Sequence, residues 1–133
     1  ATTLTEAQSG AVINIAKGAS AGYVIKLPKD PTVGTWYTFM NSVALTASNS
    51  VNIDAKDGEE FFKGIVKDRE GTFDGDNTSF DGSSHDQLKV SGGMPKLGFY
   101  ITIAFVGANT WLVFDAWTDD SSAISSGDAS TNA

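Results

Sequence analysis

Nucleophilic catalysis needs a base beside a hydroxyl or thiol, and this chain has one histidine, His85, and no cysteine. His85 lies in Ser83-Ser84-His85-Asp86, so hydroxyl, imidazole and carboxylate stand together. Neighbours in sequence seldom reach triad geometry, so a solvated loop histidine is the expected reading. Glycoside hydrolysis needs two facing acids. Asp54, Asp57, Glu59 and Glu60 gather around one turn and Asp115 falls inside an apolar run, but acids in turns cap backbone amides without any catalytic role. The densest run of oxygen donors is Asp74-Gly75-Asp76-Asn77-Thr78-Ser79-Phe80-Asp81, a composition that suits Ca²⁺. It is not an EF-hand loop, because Ser79 stands at the glycine position and His85 at the bidentate glutamate position. Asp74, Asp76 and Asp81 are therefore candidate calcium ligands, weighed against an acidic, solvated loop. Trp36, Tyr37, Trp111 and Trp117 have the rings to stack on sugars, although aromatics in a small β-domain more often fill a core or an interface. No GxGxxG, P-loop or metalloprotease motif occurs. This inventory points to no catalytic residues, no bound cofactor and a protein that is not an enzyme.

The elements that must hold these residues are strands. Short β-type runs are cut throughout by Gly, Asn, Asp and Ser. The runs are Ala11–Ala16, Tyr23–Leu27, Thr35–Asn41, Ser50–Asp54, Phe61–Val66, Gln87–Ser91, Phe99–Val106 and Thr110–Trp117. The last two, joined by Gly107-Ala108-Asn109, read as a β-hairpin. Alternation puts Ile101, Ile103 and Phe105 on one face of the first. In the second, Leu112, Phe114 and Ala116 share one face and Trp111, Val113 and Trp117 the other. Thr5–Gly10 reads as a short helix capped by Thr5. The expected fold is all-β: a single-domain antiparallel sandwich or jelly-roll-like fold over residues 1–118. It carries a long acidic loop at Arg69–Asp86, with a short strand at Thr78–Phe80. An extended polar C-terminal tail covers residues 119–133.

The 133 residues set one domain as the default, and 41% hydrophobic content is enough for a core. The net charge is −7, and from Leu97 onward there are four Asp and no Lys or Arg. Such a surface lacks the clustered cations that nucleic acid or an anionic membrane would require. Ala1–Glu6 has neither the basic nor the apolar region of a signal peptide. The tail has only Ile124 as a sizeable apolar anchor, too little to offset an ordering cost of about 1–2 kcal/mol per residue. It is therefore expected to run across a neighbouring subunit.

Four stretches occur in a familiar order: Ser9-Gly10-Ala11-Val12-Ile13-Asn14-Ile15, Val24-Ile25-Lys26-Leu27-Pro28, Gly34-Thr35-Trp36-Tyr37-Thr38-Phe39 and Gly107-Ala108-Asn109-Thr110-Trp111-Leu112-Val113. The order resembles small β-rich structural domains of tailed bacteriophages, found as capsid decoration proteins and fibre modules. Ala108, between Gly and Asn, departs from that pattern. The resemblance implies a non-enzymatic virion structural protein on the capsid exterior, a decoration (cement) protein that stabilises the head at subunit junctions. Its implied partners are the major capsid protein and its own copies, as a homotrimer. The alternative is a receptor- or glycan-binding module of a phage fibre.

Overall fold

The chain changes sheet at most of its connections, and this sets the topology. A computed structural model describes residues 1–15, 23–42, 50–68, 78–91, 99–118, 124–130 and 132–133. Their strands are β1 (Thr2–Thr3), β2 (Val12–Asn14), β3 (Tyr23–Lys26), β4 (Trp36–Met40), β5 (Val51–Asp54), β6 (Phe61–Asp68), β7 (Thr78–Asp81), β8 (Gln87–Val90), β9 (Tyr100–Gly107), β10 (Thr110–Thr118) and β11 (Ile124–Gly127). One sheet has the order β1-β3-β5-β8-β11 and the other β2-β4-β9-β10-β6-β7. A strand that leaves for the opposite sheet and then returns re-enters in its original direction. β1, β3 and β5 are therefore mutually parallel, as are β2 and β4. β6 also lies parallel to β10. The opposite sheet supplies the crossover that parallel neighbours require. The all-β sandwich stands, but its sheets are mixed, which corrects the purely antiparallel expectation.

Inward-facing side chains from both sheets form one core. Ile25, Val51, Ile53, Leu88, Val90 and Ile124 come from the five-stranded sheet. Tyr37, Phe39, Phe62, Ile101, Ile103 and Trp111 come from the six-stranded one. Ile101, Ile103 and Phe105 do share the buried face of β9, and β9 pairs antiparallel with β10. The loop between them is Ala108-Asn109, both at positive φ (49° and 55°), as a tight primed turn requires.

In β10 the expected alternation fails halfway. Asp115 takes φ 49°, and the register slips between Phe114 and Trp117. This bulge inserts one residue, so Ala116 turns inward beside Trp111 and Val113. Trp117 turns outward and stacks on Tyr100, with centroids 6.5 Å apart. Opposite the start of the slip, Gly64 on β6 has φ 135°, and a Cβ there would fall on the Val113 carbonyl oxygen.

The chain's end also differs from expectation. Ile124–Gly127 pairs antiparallel with β8 of its own chain, and Ile124 is buried in the core. The Asn132 side chain donates to the Asp54 and Ala55 carbonyls, each at 2.9 Å, and the Asn132 backbone carbonyl accepts from the Asp57 amide at 3.0 Å. The described part of the tail therefore closes its own domain rather than crossing to a neighbour. The sequence reading counted only apolar anchors and missed these polar ones. Near the N-terminus, Glu6–Gln8 forms a short 3-10 turn after Thr5, whose amide donates to Gln8 Oε1 at 2.9 Å.

Candidate functional site

The residues with catalytic potential are engaged in holding loops. Ser84 Oγ donates to Asp81 Oδ2 at 2.6 Å, and the amides of Ser83 and Ser84 donate to Asp81 Oδ1 at 2.8 and 3.0 Å. The Ser84 hydroxyl first, then these amides, hold the Asp81 carboxyl well below the usual carboxylate range. The His85 and Phe80 rings lie nearly perpendicular, with centroids 6.3 Å apart. Among the described residues no hydrogen bond joins the His85 side chain to a serine or an acid.

The turn acids are separated by function. Asp54 accepts from Gln87 Nε2 at 2.7 Å. Glu59 pairs with Lys56 at 2.7 Å, and Lys56 also reaches Asp30 at 3.1 Å. Glu60 is fully buried, and its two oxygens accept from the Trp111 indole at 2.9 Å and the Asp30 amide at 2.5 Å. It pins the Pro28–Pro31 turn to the aromatic core, which satisfies a carboxylate that would otherwise be costly to bury.

Of the candidate calcium ligands, Asp74 and Asp76 lie outside the described residues, and Asp81 faces its own loop. The structure brings together a different set: Asp57, Asp86 and Asp128 place carboxylate oxygens within 4.8 Å of one another. Asp86 is buried, and both its oxygens are already bonded, to the Gly58 amide at 2.8 Å and the Ala129 amide at 2.6 Å. This cluster ties the 57–58 turn to the chain's end. Sequence reasoning missed it because the three residues meet only after the tail returns to its own sheet.

The remaining feature is a surface. In the five-stranded sheet the outward positions are Thr3, Lys26, Asn52, Lys89 and Ser125, with Val24 as an apolar member and Asp54 and Gln87 as a buried polar pair. The outer face of the six-stranded sheet carries an apolar band, bordered by Lys63 and Lys67 on β6, Ser79 and Asp81 on β7 and Asn14 on β2. Trp36 and Met40 on β4 lie beside Ala104, Thr102 and Tyr100 on β9. These lie beside Leu112, Phe114 and Trp117 on β10. Val12 on β2 and Ile65 on β6 flank the band. All the exposed large hydrophobics among the described residues, 38–65% exposed, lie on this sheet or, in the case of Val33, beside its Gly107 turn. A sheet with one solvated face ordinarily makes that face polar. A contiguous apolar patch of this kind marks an interaction surface.

Tyr37 and Trp111 prove to be core residues, while Trp36 and Trp117 belong to this face. The outward positions of the β9–β10 hairpin are mostly apolar, Thr102 and Thr110 apart, but they form a face only once the neighbouring strands lie beside them. No protein-family model matches the chain, and no curated protein or solved structure is similar to it at a significant level.

Proposed function

We propose that this protein is a non-enzymatic structural protein of a virion, a decoration protein attached to the capsid exterior where major capsid subunits meet. One observation carries the assembly role: the outer face of the six-stranded sheet holds all but one of the exposed large hydrophobics among the described residues, while the outward positions of the five-stranded sheet are mostly polar. Such a face lowers free energy only when something covers it, so its stabilising effect appears in the assembled state. The engagement of Asp54, Glu59, Glu60, Asp81 and Asp86 in hydrogen bonds and ion pairs within the chain favours scaffolding over acid–base chemistry. The virion setting rests on the resemblance in the four stretches between Ser9 and Val113.

The test is quantitative mass spectrometry and cryo-electron microscopy of purified particles from a host in which the chain is expressed. The expected result is many copies per head, with density on the shell exterior at subunit junctions. A chain absent from particles, or confined to the tail fibres, would reject the decoration role. A second reading, a glycan- or receptor-binding module of a fibre, is favoured by one observation: Trp36 and the stacked Tyr100–Trp117 pair offer ring faces on the outer surface. Saturable binding of an oligosaccharide, abolished by Trp117→Ala, would support that reading.

A further inference from the structure

We draw no further inference here: the strongest candidate, the carboxylate cluster of Asp57, Asp86 and Asp128 between the 57–58 turn and the chain's end, is an acidic cluster whose buried member, Asp86, already accepts from the Gly58 and Ala129 amides, and no second feature among the described residues points to a cation there.

Discussion

Gly64 is the residue on which the centre of the six-stranded sheet depends most directly. Its φ of 135° is a conformation that side chains rarely adopt, and the Val113 carbonyl occupies the space of a Cβ. Gly64→Ala should therefore combine backbone strain with overpacking, a loss of about 2–5 kcal/mol. Domains of this kind are stable by only about 5–15 kcal/mol, so the urea midpoint should fall sharply. An unchanged midpoint would show that β6 and β10 are not paired in this register. Tyr37 gives a second, pH-dependent readout. Burial first, then the nearby Glu6 charge, pushes its phenol from 10.0 up to about 12, and the neutral hydroxyl donates to the Thr5 carbonyl at 2.7 Å. A raised folded-state value means that this stabilisation is complete below about pH 10 and is lost as pH rises through about 12. Urea melts across that window should fall more steeply for the wild type than for Tyr37→Phe. At neutral pH the variant should be weaker by about 1 kcal/mol, for the lost hydrogen bond. Parallel slopes would remove Tyr37 as the cause.

The elements that could be read from the sequence were those whose side-chain pattern follows from local geometry. Each of the eight apolar runs overlaps a strand, Thr78–Phe80 is the core of β7, and the Gly107 hairpin pairs as its alternation requires. Three things could not be read this way. The Asp115 bulge exchanges Ala116 and Trp117, because one left-handed residue shifts every later side chain. The parallel pairings depend on which sheet each connection reaches, which alternation within a strand does not encode. β11 is held by β8 and by distant polar partners, so composition alone reads it as tail. Of the candidate site, the aromatic members were visible but the surface was not, because an outward face is defined only when six strands are placed side by side. The tail gives the prediction at this scale. Truncation after Thr118 removes the buried Ile124, about 1.5–3 kcal/mol of apolar burial, together with the Asp86 and Asn132 ties. The truncated chain should unfold at markedly lower urea. Asn132→Ala should cost about 1–3 kcal/mol by leaving the Asp54 and Ala55 carbonyls without that donor. An unaltered midpoint in both would return the tail to a neighbouring subunit.

At the scale of the whole molecule, charge and apolar area act against each other. The chain carries nine basic and sixteen acidic residues, so it approaches any acidic partner as a body of net charge −7. The sheet face is bordered on β6 by Lys63 and Lys67, with the exposed Asp81 of β7 in register beside Lys63. Distant acids therefore repel such a partner while the apolar band makes the close contact. Salt separates these terms. At about 0.1 M the Debye length is near 10 Å, which screens the long-range repulsion but leaves close apolar packing intact. Raising salt from about 0.05 M to about 0.5 M should thus maintain or strengthen attachment of the purified chain to particles, in co-sedimentation runs at constant pH 7. A face built to capture an acidic partner through Lys63 and Lys67 would behave in the opposite way, because screening removes the attraction it relies on. Weakening with salt would therefore place the lysines, rather than Phe114 and Ile65, at the centre of what this face does.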